Sequence, residues 1–173
     1  MAQGEGISLL LRAYVKLEKR VYLESAEKAM NFMKKDIETG GVTYYEGDKI
    51  FLKEYPTLPT VLNGWIFSIF GLYDYCIIKH DDIETKEFLN RTIKTLEEYI
   101  SKFDLNYWSK YDSEKIIASP FYHELHIQLL MALYDLTEID VFQKYAEKWE
   151  KCEKNIFFKT RAFIKKAYQK IRE

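Results

Sequence analysis

Apolar residues recur every three or four positions along most of the chain, the spacing that places them on one face of an α-helix. The pattern predicts two antiparallel helices over residues 6–17 and 21–35, and later helices over residues 121–136, 140–152 and 157–172. Helical periodicity covers more of the chain than any other pattern. The sequence therefore predicts an all-α fold.

Two segments depart from the helical period. Residues 42–52 alternate between apolar and polar positions and turn at Gly47-Asp48, which is typical of a β-hairpin. Residues 106–119 are rich in turn-forming side chains and are interpreted as a second short hairpin. Each predicted hairpin follows a helical pair and is treated as an insert.

One stretch joins a stiff loop to the most apolar helix of the sequence. Pro56 and Pro59 fix φ at about −65° and disfavour a helical conformation in the residue before them, so Glu54 and Tyr55 are expected on an extended segment. Asn63 is expected to be the N-cap of the helix that follows. Because that helix is apolar almost all round, it is expected to be enclosed by other elements.

A weak internal repeat organises the helices. Tyr14, Tyr73 and Tyr134 occupy equivalent places late in the first helix of successive pairs, at spacings of 59 and 61 residues. The second pair is completed by a helix predicted over residues 81–103, which starts at an acidic N-cap. Three stacked helical hairpins predict a single domain over residues 1–173, an incomplete α/α toroid with two short β-hairpin inserts.

Composition and charge narrow the functional classes. The chain is 47 % hydrophobic and 31 % charged with a net charge of −1, which gives no basis for a nucleic-acid surface. Asn63 and Asp74 lie within the apolar stretch 61–78 and favour a buried helix over a membrane span. The basic run over residues 165–172 is interpreted as a solvated helix face, with a polyanion site as the alternative. No signal peptide is visible, so a cytoplasmic location is the default expectation.

Four blocks of sequence, taken in order, resemble the C-terminal domain of the D-glucuronyl C5-epimerases. The blocks are MAQGEGISLLLRAY, EYPTLPTVLNGWIFSIFGLYDY, FDLNYWSKYD and YHELHIQLL, and the similarity runs over residues 1–151. Members of this family invert C5 of glucuronate in heparan-type polysaccharide precursors such as heparosan. The resemblance implies four catalytic positions, Glu54, Tyr55, Tyr111 and Tyr122. Further polar residues in the same blocks are candidate substrate contacts, namely His123, His126, Asn63 and Arg12.

Inversion at C5 of a uronate sets chemical requirements that these residue types can meet. The C5 hydrogen is weakly acidic, so the site needs a base on one face of the sugar and an acid on the other. Tyrosine has a reference pKa of about 10, so a phenolate is a strong base and a neutral phenol can return the proton. Which of Tyr55, Tyr111 and Tyr122 is base and which is acid stays open. Glu54 is expected to orient or deprotonate a phenol, and no cofactor is required.

The spacing of His123 and His126, with Glu124 between them, also invites a metal site, since positions i and i+3 share one helical face. The motif differs from H-E-x-x-H and no third ligand is evident, so no metal is expected. A hydrogen-bonded or substrate-lining histidine pair is the favoured interpretation.

Other functions and partners remain open. The chain is alternatively a non-catalytic carbohydrate-binding or scaffolding relative, or another α/α-toroid enzyme acting on uronates, a hydrolase or a lyase. The expected partner is a uronic-acid-containing polysaccharide or oligosaccharide. Full epimerases carry a β-rich region before the helical domain, whereas this chain opens at the MAQG block. Either a preceding β-rich domain is missing from it, or it is a stand-alone relative that lacks part of the substrate groove. A homo-oligomer is a further expectation.

Overall fold

The computed structural model describes residues 1–172, which form seven α-helices and one two-stranded antiparallel sheet. A fold that is mostly helical with a short β-hairpin was predicted from the hydrophobic pattern, and it is confirmed. None of the helices within residues 1–172 combines the length and the hydrophobicity needed to cross a bilayer. In chain order the elements are α1 (Ala2–Leu17), α2 (Arg20–Met33), β1 (Thr43–Glu46), β2 (Lys49–Leu52), α3 (Leu62–Ile78), α4 (Ile83–Tyr99), α5 (Pro120–Thr137), α6 (Asp140–Lys154) and α7 (Ile156–Arg172).

The chain forms two compact units. The first comprises Met1–Thr60 and Gly64–Leu96, and the second comprises Val61–Asn63 and the chain from Glu97 onward. The expectations of a single domain over residues 1–173 and of closure into a toroidal arc stay predictions.

The first unit contains most of α3, the helix expected to be enclosed. The side chains that it buries at successive turns are Trp65, Ile66, Ile69 and Leu72. Helix α1 approaches α3 closely at two glycines, because a Cβ on Gly71 would lie 2.5 Å from the Cα of Gly4. The absence of side chains at these positions lets the two backbones touch. The predicted enclosure of α3 is therefore confirmed.

The first predicted β-hairpin is also confirmed. Strands β1 and β2 pair antiparallel from Thr43 opposite Leu52 to Glu46 opposite Lys49. Gly47 takes a φ of 58° in the connecting turn, a conformation that glycine adopts without strain. The Arg91 side chain on α4 donates hydrogen bonds to the carbonyls of the turn, at 3.3 Å to Gly47 and 3.1 Å to Asp48.

Two of the three helical hairpins turn in the same way. Helix α1 ends at Glu18, with φ 55° and ψ 21°, and α5 ends at Glu138, with φ 56° and ψ 21°. The amides of these glutamates donate to the carbonyls of Tyr14 and Tyr134 at 2.8 Å and 2.7 Å. The structure thus shows that Tyr14 and Tyr134 occupy equivalent places. The middle pair turns differently, through Asp82, whose carboxylate accepts the Thr85 amide and caps α4.

The second predicted hairpin, over residues 106–119, is a folded loop with no regular strand. Isolated antiparallel bridges join Asp104 to Ser109 and Lys110 to Ile117. Side-chain hydrogen bonds replace those of paired strands here, because the Asp112 Oδ1 accepts three consecutive backbone amides at 2.8 to 3.0 Å. Such side-chain bonds compete directly with strand pairing. The amides that Asp112 binds are those of Glu114, Lys115 and Ile116.

Helix α7 fastens this loop in the second unit. The Gln169 Oε1 accepts the Ile117 amide at 3.1 Å, and its Nε2 donates to the Lys115 carbonyl at 2.8 Å. Ala162 is buried on the same helix. One face of α7 is therefore committed to the core of the second unit.

Candidate functional site

Tyr111 and Tyr122, two of the three candidate phenols, meet in the second unit. Their rings are in edge-to-face contact, with centroids 4.8 Å apart and planes inclined at 64°. Both side chains are half-buried, so each is supported by packing while part of its surface reaches solvent. The structure thus brings together two residues that are separated by a turn-rich loop in sequence.

The start of α5 fixes Tyr122. Ser119 is the N-cap of the helix, and its Oγ accepts a hydrogen bond from the Tyr122 amide at 3.3 Å. Pro120 occupies the first helical position, where a missing N–H costs nothing. The Ser-Pro pair therefore fixes where the helix begins and holds Tyr122 in its first turn.

Backbone hydrogen bonds fix Tyr111 on both sides. Its amide donates to the Ile116 carbonyl at 2.7 Å, and its carbonyl accepts the Leu62 amide at 3.2 Å. The second contact corrects the expected N-cap of α3. The helix begins at Leu62, whose amide is satisfied by Tyr111, so Asn63 lies inside the first turn and is buried. Asn63 therefore comes directly after Leu62, whose amide binds the Tyr111 carbonyl.

His123 and His126 are fully buried on α5, each 0 % exposed. One hydroxyl bridges them, because the Ser109 Oγ lies 2.8 Å from the His123 Nδ1 and 3.0 Å from the His126 Nδ1. The Ser109 amide also donates to the His123 Nδ1 at 3.1 Å. A hydrogen-bonded histidine pair is thus confirmed. Direct contact between either imidazole and a substrate stays a prediction.

The protonation of the pair follows from its surroundings. Because the His123 Nδ1 accepts an amide, its proton lies on Nε2, which donates to the Trp149 carbonyl at 3.2 Å. Burial lowers the pKa of His123 to about 4. Burial, and then the neighbouring His123, lowers the pKa of His126 to about 3. Both imidazoles are therefore neutral at pH 7 and supply a polar support that carries no charge.

Two tryptophans enclose the imidazoles. The ring of His123 stacks on Trp108, with centroids 3.6 Å apart and planes at 14°. The Trp149 ring lies 6.1 Å and 6.2 Å from the two imidazole centroids. The Trp149 indole donates to Asp104 at 2.9 Å, and the other oxygen of Asp104 pairs with Lys148. This polar-aromatic packing joins the loop of residues 104–112 to α5 and α6.

The EYPT loop belongs to the first unit and bends sharply. Residues 54–57 form a bend and a turn, which the Lys53 Nζ closes by donating to the Leu58 carbonyl at 2.5 Å. The expected extended segment is therefore wrong, because Pro56 is also favoured at the second position of a tight turn. Tyr55 lies on this turn and is 45 % exposed.

Glu54 points inward from the same loop. A Cβ at Gly64 would clash with the Glu54 carboxylate, so the glycine of the LNG block makes room for the glutamate of the EYPT block. The buried Oε2 of Glu54 has no hydrogen-bond partner within residues 1–172. A buried oxygen without a partner costs free energy. Such an oxygen is expected where a ligand or a moving proton supplies the missing hydrogen bond.

Arg12 lies at the surface of the first unit. Its Nη2 is 3.2 Å from the Asp74 Oδ2, and its side chain is 75 % exposed. The two residues line a small groove of about 330 Å³ between α1 and α3. Exposed ion pairs contribute little to stability. A role for Arg12 in substrate binding stays a prediction.

Sequence reasoning missed Ser109 and Gly64, which position the histidines and Glu54. Neither carries a signal in sequence, since each acts through a partner at least ten positions away. In the part of the chain that the structure describes, no three His, Cys, Asp or Glu side chains are placed to hold a metal ion. Glu124, considered with the histidines, is exposed.

Comparison with known proteins identifies relatives of this chain. A family model described as D-glucuronyl C5-epimerase C-terminus matches residues 1–151. The D-glucuronyl C5-epimerase of Caenorhabditis elegans is 31 % identical over 169 residues, which cover 86 % of this chain and 27 % of that protein. The uncharacterized protein MJ1128 of Methanocaldococcus jannaschii is 26 % identical over 155 residues, 86 % of this chain and 50 % of that protein. The chain therefore spans half or less of the length of these curated relatives.

Proposed function

Because the chain belongs to the family of D-glucuronyl C5-epimerase C-terminal domains, we propose that it acts at C5 of glucuronate residues in a polysaccharide. In this proposal a tyrosine phenolate removes the C5 proton, and the electron pair passes to the adjacent carboxylate as an enediolate. Return of a proton from the opposite face gives iduronate, and return from the same face restores glucuronate. No oxidant or cofactor is needed for this exchange.

The contact between Tyr111 and Tyr122 carries the proposal. Two half-buried phenols that touch each other present two exchangeable hydroxyl groups on a rigid support. The support is preorganised, because Ser119 caps the helix of Tyr122 and Asp112 binds the loop of Tyr111. Fixed geometry of this kind supplies a large part of the barrier reduction in proton transfer.

The same contact limits what the pair can do alone. A sugar ring cannot fit between two aromatic rings whose centroids are 4.8 Å apart, so Tyr111 and Tyr122 serve one face of a substrate. The group for the opposite face must come from outside the pair. Tyr55, which is exposed on its turn, is a further proposed proton-transfer residue.

Incubation with heparosan in deuterated water tests the proposal, with mass spectrometry of the disaccharides reporting deuterium at C5 and conversion to iduronate. We expect wild-type chain to incorporate deuterium and Tyr111→Phe to lose at least about 100-fold of the rate, the usual size of a general acid-base contribution. Absence of deuterium even at high protein concentration would refute catalysis by this chain.

The variant Tyr55→Phe tests the proposed role of Tyr55. If Tyr55 returns the proton, this variant still incorporates deuterium into glucuronate and forms no iduronate. If iduronate forms at the wild-type rate, the proton-transfer role proposed for Tyr55 is wrong. Because Tyr55 is exposed, the change removes only a hydroxyl and leaves the packing of the loop intact.

A non-catalytic carbohydrate-binding function is the second candidate. It is favoured by the confinement of Tyr111 and Tyr122 to one face, since a stacking platform needs aromatic groups on one side only. Heparosan binding measured by calorimetry, together with no deuterium uptake at C5, would establish this alternative.

A further inference from the structure

Helix α7 lies outside the residues that match the epimerase family and carries an unusual surface. Its inner face is committed to the second unit through Ala162, through Gln169 and through Phe158, whose ring lies 6.2 Å from that of Tyr107. These contacts fix the rotation of the helix about its axis. The face on the opposite side is therefore exposed.

That outer face is apolar. Six large side chains on it are more than half exposed, and Phe157 at 81 % and Ile171 at 83 % are the most exposed of them. At about 100° per residue they fall within a continuous arc of about 140°. The six side chains are Ile156, Phe157, Phe163, Ile164, Tyr168 and Ile171.

Cations border this apolar arc on both sides. The helical spacing places Arg161, Lys165 and Arg172 along one edge and Lys159, Lys166 and Lys170 along the other. No Asp or Glu occurs between positions 156 and 172, although the whole chain has a net charge of −1. Acidic residues are thus confined to other parts of the chain, and the charge on α7 is of one sign.

A groove of about 780 Å³ runs along one edge of the arc. Tyr107, Ile164 and Tyr168 line it beside Arg161 and Lys165. The Arg161 guanidinium is held over the Tyr107 ring, 4.1 Å from its centroid, so a cation is fixed at the groove wall. An apolar groove with cations at its rim suits an acyl chain joined to an anionic head group.

We propose that α7 docks flat on an anionic lipid bilayer. An apolar arc flanked by Lys and Arg on both edges matches the interface of such a membrane, where acyl chains lie beneath negatively charged head groups. A protein partner fits less well, because Lys is depleted in protein interfaces. A second α7 fits less well too, since pairing two copies would bring twelve cations together. This inference does not rest on the proposed epimerase function.

Flotation with lipid vesicles tests the docking of the full chain. We expect binding to phosphatidylcholine vesicles that contain about 30 mol % phosphatidylserine to exceed binding to pure phosphatidylcholine at least about tenfold, and to weaken as salt is raised. No binding to the anionic vesicles at low salt, or equal binding to both kinds, would overturn the proposal.

Two pairs of variants locate the contact on α7. Phe157→Ser with Ile171→Ser removes apolar area from the arc and is expected to abolish binding, whereas Ile83→Ser, an exposed apolar residue of α4, leaves it unchanged. Lys166→Glu with Lys170→Glu is expected to abolish binding as well. Its matched control, Lys94→Glu with Lys144→Glu, makes the same charge change at exposed positions of α4 and α6 and is expected to retain most binding. Binding that survives both α7 pairs would overturn the proposal.

Other occupants of α7 appear as distinct results. If the chain fails to bind vesicles and instead self-associates in sedimentation experiments, with association lost in Phe157→Ser with Ile171→Ser, then α7 is an interface between copies and the proposal is wrong. A third result is that the chain binds heparosan but not vesicles, and loses heparosan binding in Lys166→Glu with Lys170→Glu. That result would overturn the membrane proposal in favour of a polysaccharide site.

Discussion

The hairpin of α1 and α2 and the hairpin of α5 and α6 share one plan and differ in what they bury. A separation of 120 positions relates Ile7 to Ile127 and Ala26 to Ala146, and all four residues are buried. The same separation relates Glu18 to Glu138, the residues in left-handed backbone conformation at which α1 and α5 end. The scaffold positions of the two hairpins are therefore equivalent.

The second hairpin buries three polar or aromatic side chains that the first hairpin lacks at the equivalent positions. His123, His126 and Trp149 of the second hairpin stand where the first has Gln3, Gly6 and Ala29. Buried polar groups cost free energy unless they are paired, and the second hairpin satisfies most of them through Ser109 and the Trp149 carbonyl. The repeat therefore supplies a generic support, while a local polar cluster in one copy marks the candidate site.

Acid should weaken the second hairpin more than the first, and this is the largest effect that we expect on stability. The pKa values of His123 and His126 fall from 6.5 to about 4 and about 3, so the unfolded chain binds more protons than the folded chain below pH 6.5. The stabilisation is complete above pH 6.5 and is lost as pH falls toward 4, at about 1.4 kcal/mol per pH unit for each imidazole.

Urea unfolding at pH 7, 6 and 5 measures this dependence. We expect the free energy of unfolding to drop by roughly 4 kcal/mol between pH 7 and pH 5 in the wild-type chain. His126→Asn, which cannot titrate, should show about half that slope. A slope that is the same in the variant would show that the histidine pair is not its source.

Truncating one imidazole should lower the free energy of unfolding by less than acid does and by much more than a surface substitution does. His126→Ala leaves a cavity beside Trp149 and deprives the Ser109 hydroxyl of one partner, so we expect a loss of about 2 to 4 kcal/mol in the free energy of unfolding. The control is Gln128→Ala, which changes an exposed residue of the same helix and should shift stability by less than about 0.5 kcal/mol. Equal stabilities of the two variants would remove the structural role of the pair.

Gly6 is the counterpart of His126 in the first hairpin, and its substitution by alanine should raise the free energy of unfolding. A Cβ at Gly6 meets no atom within 4 Å, so Gly6→Ala adds helix propensity at no steric cost. We expect a gain of about 0.5 to 1 kcal/mol, measured by urea unfolding at pH 7. A loss of stability in Gly6→Ala would mean that positions 6 and 126 are under the same packing constraint, and would contradict the difference between the two hairpins.

Much of the scaffold could be predicted because helical periodicity and turn residues act locally. The burial of α3, the Gly47 turn and the Asp82 cap all follow from residues close together in sequence. The β-hairpin predicted over residues 106–119 is wrong, because the Asp112 carboxylate binds the amides that a strand would have paired. Propensity carries no information on that competition.

The candidate site was predicted in part for a related reason. The block YHELHI indicated a histidine pair, but its complete burial depends on Trp108 and Trp149, which lie 15 and 26 positions from His123. The contact of Tyr111 with Tyr122 likewise arises from the fold of the loop between them. Long-range contacts of this kind are absent from local sequence patterns.

The assignment of Tyr122 to proton transfer is tested most directly by comparing Tyr122→Phe with Tyr134→Phe. Both residues lie on α5 and both changes remove one hydroxyl, but only Tyr122 contacts Tyr111, whereas Tyr134 occupies the position that the first hairpin repeats as Tyr14. With heparosan in deuterated water we expect deuterium uptake at C5 to fall at least about 100-fold in Tyr122→Phe and to stay at the wild-type rate in Tyr134→Phe. Equal uptake in the two variants, at equal thermal stability, would contradict the assignment.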